Sequence, residues 1–220
     1  MRVLVACEVS GIVREAFRAR GHEAVSCDLT PSEQPGPHYT GDVGDLLGED
    51  WDLLIAPPPC TYLANSGVRW LSEDVDRWAH LETACQFFNQ LWAATIPRIC
   101  VENPIPHKHA VQRLIGGRPM QIIQPWQFGH GETKATGLWL KGLPWLVPTE
   151  VVAGREPRIH RLSPGPDRAR LRSRTYPGIG EAMAAQWGRA RYDHLAYRQP
   201  ALWEHGIDGY VSNTPDLSTP

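Results

Sequence analysis

RVLVACEVSGIVREAFRARGHEAVSCD, residues 2–28, decides the fold. RVLVAC is a short apolar run rich in β-branched residues, the pattern of a buried strand. Ser10-Gly11 ends it. VREAFRARG then has helical spacing, with Val13, Ala16, Phe17 and Arg20 before a stop at Gly21. HEAVSCDL is a second strand that ends at Asp28. Strand, turn, helix and strand in so short a span predict an α/β unit. The sequence beyond repeats the alternation. TPSEQPGPHYTGD is a Pro/Gly-rich loop, and WDLLIAPPP is an apolar strand that runs into a wall of prolines. SEDVDRWAHLETACQFFNQLWAAT is the strongest helix, with Ser72 as its cap and apolar positions at 75, 78, 81, 84/85, 88 and 91/92. RICVENP is a strand, and MQIIQPWQF and GLWLKGL are strand-like runs around a GHGETKAT turn. A last helix is expected at 178–192. The order β-α-β-β-α-β-(α)-β-β predicts a doubly wound, mostly parallel α/β sheet.

Length and composition fit that reading. A chain of 220 residues, 42% apolar and 21% charged, supports one well-buried core or a domain with a small annex. No apolar run approaches the roughly 20 residues of a bilayer span. MRVLVACEVSG reads as a first strand and not as a signal peptide, so a cytoplasmic location, in a bacterium or a bacterial host cell, and no membrane partner are expected. The five cysteines are odd in number and have no zinc-type spacing, so no metal is expected. Cys7, Cys27, Cys85 and Cys100 stand in apolar settings and read as buried thiols. Cys60 differs: three prolines precede it and polar residues follow.

The net charge of −2 hides an asymmetry. Residues 1–154 carry 12 basic and 17 acidic residues, whereas residues 155–174 carry seven Arg against Glu156 and Asp167. That strip is a solvated Arg-rich loop or a surface for an acidic partner.

In doubly wound sheets ligands bind at the carboxyl ends of the strands. The residues at those ends are Cys7-Glu8, Asp28, Asp42, Cys60 and Glu102-Asn103. The first turn lacks GxGxxG, so a dinucleotide fingerprint is not supported. Ser10 and Gly11 still open a helix whose backbone N–H groups can face a carboxylate. Asp28 follows about 20 residues on, where an acid meets ribose hydroxyls in nucleotide-binding sheets. Asp42 lies at the next tip. Each acid alone could be a loop cap; together they suit a neutral or cationic adenosine compound. Consecutive prolines hold Cys60 on a rigid turn, as a nucleophile needs. Glu102 should be half-buried, either capping before Pro104 or holding a proton for a ring nitrogen.

In this order the motifs resemble the cytosine-C5 DNA methyltransferase family, in particular its small, bacteriophage-type members. Cys7-Glu8-Val9-Ser10-Gly11 resembles the family's first motif, Asp28 its ribose-binding acid and Gly41-Asp42 its adenine-side pair. Pro59-Cys60 resembles the nucleophile motif and Glu102-Asn103 the Glu-Asn motif. Phe128-Gly129 leading to Glu132-Thr133-Lys134-Ala135-Thr136 resembles the Gln-x-Arg-x-Arg motif, with one Lys in place of two Arg. Tyr176-Pro177-Gly178-Ile179-Gly180 faintly resembles the late Gly-Asn motif. The likeness covers about residues 1–145 and 172–188.

The resemblance implies a Rossmann-like fold, S-adenosylmethionine as cofactor and DNA as partner, in a monomer or homodimer. It implies catalysis by Cys60, Glu102 and Lys134. Cofactor contacts would come from Cys7, Glu8, Ser10, Gly11, Asp28, Asp42 and Pro58, and nucleic-acid contacts from Asn65, Ser66, Arg168, Arg170, Arg172 and Arg174. Cys60 would attack C6 of a flipped cytosine while Glu102 engages N3. Trp70 is a candidate to stack on that base, and Trp126, Trp139, Trp145 and Trp187 are candidates for the core. The implied organisation is a catalytic and cofactor-binding domain (1–145), a short Arg-rich recognition segment (146–174), a helix packing back (175–192) and a poorly ordered tail (193–220). The family's sizeable recognition domain has no counterpart, which implies short or weak sequence specificity, a partner protein or a smaller substrate. Other readings are a methyltransferase of exocyclic amines, loosely echoed by Pro57-Pro58-Pro59-Cys60 with Tyr62, a nucleotide or RNA methyltransferase, and a non-catalytic nucleic-acid-binding protein on the same fold.

Overall fold

The computed structural model describes residues 1–189. The expected tail at 193–220 and the last three residues of the helix expected at 178–192 lie outside them. The seven strands are β1 (Arg2–Ala6), β2 (Glu23–Asp28), β3 (His38–Thr40), β4 (Leu53–Ala56), β5 (Ile99–Pro104), β6 (Gln121–Ile123) and β7 (Thr136–Lys141). They form one sheet in the order β3-β2-β1-β4-β5-β7-β6, with only β7 running antiparallel to its neighbours. This is the doubly wound, mostly parallel α/β sheet that the strand–helix alternation predicts. Among the described residues five α-helices complete it: α1 (Ile12–Arg18), α2 (Asp76–Ala93), α3 (Lys108–Val111), α4 (Arg168–Ser173) and α5 (Pro177–Trp187).

The central strands are buried on both faces, so they read as continuous apolar runs rather than alternating ones. Leu4, Leu54, Ile99 and Val101 are fully buried and meet Leu81, Phe88 and Leu91 of α2. Phe88 packs edge-on to Trp139 of β7, with ring centroids 4.9 Å apart. On the other face α5 lies on α1. Gly180 sits at that contact, where a Cβ would meet Ile12 Cγ2 and Val13 Cα at 3.5 Å, an ordinary van der Waals distance. Trp187 closes the layer, its indole N–H donating to the Pro144 carbonyl at 3.1 Å. Among the described residues no helix is long and apolar enough to cross a membrane.

The structure departs from the sequence reading in three places. The loop after Asp28 contains an edge strand, β3, because His38 and Thr40 pair with Ser26 and Asp28. Pro/Gly-rich composition conceals so short a strand. The long helix starts later than Ser72. Ser72 instead donates to the Arg69 carbonyl at 2.8 Å and closes a 3-10 stretch, Asn65–Leu71. Asp74 accepts the Asp76 N–H at 3.0 Å, and Val75 is 87% exposed rather than on the buried stripe. The expected tryptophan core divides as well. Trp139 and Trp187 are fully buried, whereas Trp145 is 37% exposed and Trp126 is half-buried, with the Arg155 guanidinium 3.8 Å from its ring centroid.

Candidate active site

The carboxyl ends of β2, β1, β4 and β5 lie side by side, and Cys7, Glu8, Asp28, Cys60 and Glu102 fall along that edge. At the β1 tip Cys7 takes a positive φ of 55° and Gly11 one of 70°, so the chain turns sharply into α1. Glu8 points inward and is 4% exposed. Its Oε1 accepts the Val13 N–H at 2.7 Å and the Ser10 hydroxyl at 3.3 Å, and its Oε2 accepts the Arg14 N–H at 3.2 Å. The helix N–H groups that were expected to face a ligand's carboxylate are thus taken by the protein's own. A carboxylate at a helix N-terminus is favourable, yet burial still holds Glu8 above the usual carboxylate range, against the pull of those N–H groups.

Asp28 and Asp42 flank this turn. Asp28 Oδ1 accepts both the N–H and the hydroxyl of Thr30 at 3.0 Å, and Asp42 Oδ1 accepts the Gly44 N–H at 2.8 Å. Each acid therefore serves as a local cap, and the second oxygen of each makes no hydrogen bond among the described residues. Both carboxylates reach the Cys7 thiol electrostatically. Burial first, and then the two acids with Cys27, push that thiol up to about 12. Cys7 is half-buried; Cys27, Cys85 and Cys100 are buried, and all five thiols are free.

The Pro57–Cys60 turn follows β4. Ala56 pairs with Val101, which brings Glu102 level with the start of that turn. Asn103, 1% exposed, donates from Nδ2 to the Pro58 carbonyl at 2.9 Å and ties the two tips together. Cys60 is half-buried, and its carbonyl accepts the N–H groups of Leu63 and Ala64. Burial raises its thiol pKa first and the Glu102 charge adds to that; Lys134 and Arg172 pull it back. Glu102 is half-buried, and burial holds its carboxyl up while Lys134 and the Thr136 hydroxyl oppose that. Glu102, Lys134 and Arg172 therefore all lie within electrostatic reach of Cys60, and Lys134 also reaches Glu102.

The remaining candidates are placed differently. Asn65 and Ser66 are exposed on the 3-10 stretch, and Asn65 N–H donates to the Ile105 carbonyl at 2.9 Å. Trp70 is 42% exposed, with the Arg69 guanidinium 4.4 Å from its ring centroid. On α4, Arg170 donates to Glu33 at 2.9 Å and to Asp167, and Arg174 also donates to Glu33. Arg168 Nε and Arg174 Nε are buried without a partner among the described residues. Arg172 makes no hydrogen bond or ion pair among them. Further along the basic strip, Arg158 faces Glu132 at 3.4 Å and Arg161 faces Glu156 at 3.7 Å.

Three residues that build the site were not flagged by the sequence. Arg14 is fully buried and uses all five of its donors. They go to Glu15, Ser26, Ser32 and the carbonyls of Gln34 and Pro35, which fixes the loop between β2 and β3. His107 is 2% exposed and clamps the return from Cys60. Its Nδ1 accepts the Ala110 N–H at 3.1 Å, which leaves Nε2–H to donate to the Tyr62 carbonyl at 2.9 Å, and its own N–H donates to the Leu63 carbonyl. Glu33 receives the α4 arginines. Nothing in spacing or composition separates these three from surface residues of the same type, because each depends on long-range partners. Among the described residues no group of three or more His, Cys, Asp or Glu could hold a metal ion.

No family model matches the chain, and no curated protein does. Among solved structures, it is similar to a putative DNA modification methyltransferase encoded within a prophage of E. coli: 14% identity, TM-score 0.41, covering 69% of this chain and 52% of that one. It is also similar to the Entamoeba histolytica methyltransferase EhMeth (12%, TM-score 0.43, 75% and 60%). A third is the S. pombe Dnmt2 methyltransferase (15%, TM-score 0.37, 66% and 50%). The chain spans between half and three-fifths of the length of these structures.

Proposed function

We propose that the protein is an S-adenosylmethionine-dependent methyltransferase that acts on C5 of cytosine in DNA through a covalent bond from Cys60. The observation that carries this reading is the convergence of the Cys60 thiol and the Glu102 carboxyl at adjacent strand tips, joined by Asn103 and both facing the Lys134 ammonium.

The cofactor fits the residues present. Glu8 already fills the α1 N-terminus with negative charge, which disfavours a pyrophosphate. The spare oxygens of Asp28 and Asp42 suit hydroxyls and a cationic centre. Cys7, Ser10, Gly11, Asp28, Asp42 and Pro58 would line its place, with Glu8 shaping the turn beneath. S-adenosylmethionine would supply the methyl group that C5 accepts.

The chain's own residues do the rest. Cys60 Sγ adds to C6 of the ring. Glu102, protonated because burial favours its neutral form, donates its proton toward N3 as the electrons of the C5–C6 bond are displaced. Lys134, and Arg172 beside it, stabilise the thiolate from which the addition starts. After C5 has been substituted, N3 returns its proton to the Glu102 carboxylate, the C5 proton passes to solvent, and the C6–Sγ bond breaks to release the thiolate and restore the ring. In this reading residues 1–145 catalyse and bind cofactor, and 146–174 form the short recognition segment.

The test incubates the full chain with tritiated methyl donor and DNA, RNA or dCTP in parallel, and with 5-fluorocytosine DNA. Label on DNA and an adduct on Cys60 that is lost in Cys60→Ser are expected. Full methylation by Cys60→Ser would overturn the covalent mechanism and favour transfer to an exocyclic amine.

A further inference from the structure

Glu33 touches both halves of the candidate site. Its backbone N–H donates to the Val9 carbonyl at 2.8 Å, inside the Cys7–Gly11 turn. Neighbouring Ser32 donates its hydroxyl to the same carbonyl at 3.2 Å. The Arg14 guanidinium pins the loop on its other side through the Gln34 and Pro35 carbonyls. From this fixed base the Glu33 side chain, 21% exposed, accepts from Arg170 with one oxygen and from Arg174 with the other. The Arg174 carbonyl in turn accepts the Lys134 ammonium at 3.1 Å. Arg172, between the two anchored arginines on α4, is within electrostatic reach of Cys60. A continuous polar path thus runs from the turn after β1, through Glu33 and α4, to the cations beside the nucleophile.

We propose that Glu33 is a positioning residue: by holding Arg170 and Arg174 it seats α4 so that Arg172 serves Cys60 and the Arg174 carbonyl holds Lys134. This rests on the reading of Cys60 as the nucleophile and goes beyond it. It gives part of the basic strip a task inside the protein instead of on the substrate. Three groups act on Cys60 in this arrangement: Glu102 from β5, Lys134 from the turn before β7 and Arg172 from α4. Glu33 acts only through the last two. An Asp at position 33 keeps the charge, whereas a Gln keeps the shape but loses the ion pairs.

The experiment measures the rate at which iodoacetamide alkylates Cys60 in the full chain at pH 7.5, read by mass spectrometry of the peptide that contains it. Four variants are compared with wild type: Glu33→Gln, Glu33→Asp, Arg172→Gln and the double variant Glu33→Gln/Arg172→Gln. Glu33→Gln and Arg172→Gln should each slow alkylation about two- to fivefold, the range set by an exposed charge acting on a thiolate. Glu33→Asp should come within about twofold of wild type, and the double variant should fall short of the product of the two single effects, because only the path through Lys134 is left for Glu33 to act on. The proposal is overturned if Glu33→Gln alkylates like wild type or faster, if Arg172→Gln has no effect, or if the two effects multiply in the double variant. The readout needs no methyl transfer. A wild type that methylates nothing but shows the expected alkylation pattern sinks the methyltransferase reading and leaves this one standing.

Discussion

Lowering the pH from 7.5 to 5.5 should loosen the turn that carries Cys60, through His107. Both ring nitrogens are committed to a neutral tautomer: Nδ1 accepts from Ala110 and Nε2–H donates to the Tyr62 carbonyl. Burial lowers the ring's pKa first, and His109, Arg113 and Arg77 lower it further against the raising effect of the Tyr62 carbonyl. The unfolded chain therefore takes up this proton at a higher pH than the native one. Stability is fully present above the unfolded pKa of about 6.5 and is lost as the pH falls toward the native value. At a slope of ~1.4 kcal/mol per pH unit, one such group can remove up to about 1.4 kcal/mol between pH 7.5 and 5.5. His22 is depressed in the same direction, so wild type alone does not isolate the effect. His107→Asn does, because Asn keeps the acceptor that caps α3 and removes the titration. Urea unfolding of both proteins at the two pH values is the assay. Wild type should lose more stability than His107→Asn on acidification, by about 0.5–1.4 kcal/mol. Equal losses would refute the assignment of a neutral, doubly bonded His107.

Other perturbations separate local from long-range causes. Gly178→Ala should destabilise even though Gly→Ala in a helix ordinarily stabilises by about 1 kcal/mol. The new Cβ would lie 2.1 Å from the Phe128 carbonyl oxygen, and overpacking of that kind should leave a net cost of about 1–2 kcal/mol and a lower Tm in calorimetry. Glu8→Ala should cost about 2–4 kcal/mol in denaturant unfolding, because the Val13 and Arg14 N–H groups lose their acceptor, while Glu8→Gln should cost less. Asn103→Ala should cost about 1–2 kcal/mol, the lost bond to Pro58 being partly offset by removal of a buried Oδ1 that has no partner.

The sheet was legible because its central strands are buried on both faces. LLIA and ICV admit few other uses, and the proline wall after Ala56 marks where β4 must stop. The candidate residues were legible as a set of strand tips, since a parallel sheet brings consecutive tips to one edge. Edge strand β3 was not legible, because His38–Thr40 owe their extended state to β2 and to the loop that Arg14 holds. Nor was the role of Glu8. A polar residue after a strand looks like a ligand contact, and only the chain's direction into α1 shows that it caps the helix. The Arg-rich strip is the sharpest case. Counted along the sequence, it is a block of free positive charge. In the structure Arg170 and Arg174 meet Glu33, Arg158 meets Glu132, and Arg161 meets Glu156. Glu33 and Glu132 lie outside the strip, so of these three partners counting charge within it could find only Glu156.

The pairing of Cys60 with Glu102 carries a consequence for the order of events. Each group is raised chiefly by its own burial, and the Glu102 charge raises Cys60 further. Protonating Glu102 removes that repulsion but leaves Lys134 and Arg172 facing the thiol. The thiolate is therefore easiest to form in the state where Glu102 holds a proton, which is also the state that can donate to a ring nitrogen. In the proposed reaction the nucleophile and the acid are thus prepared together. At higher pH the carboxylate forms and opposes the thiolate; at low pH the thiol stays protonated. A neutral ring placed over both groups would exclude water and favour the uncharged carboxyl further. In the proposed reaction this coupling favours attack on a ring that accepts a proton at the same time over a simple thiolate displacement in which Glu102 has no part.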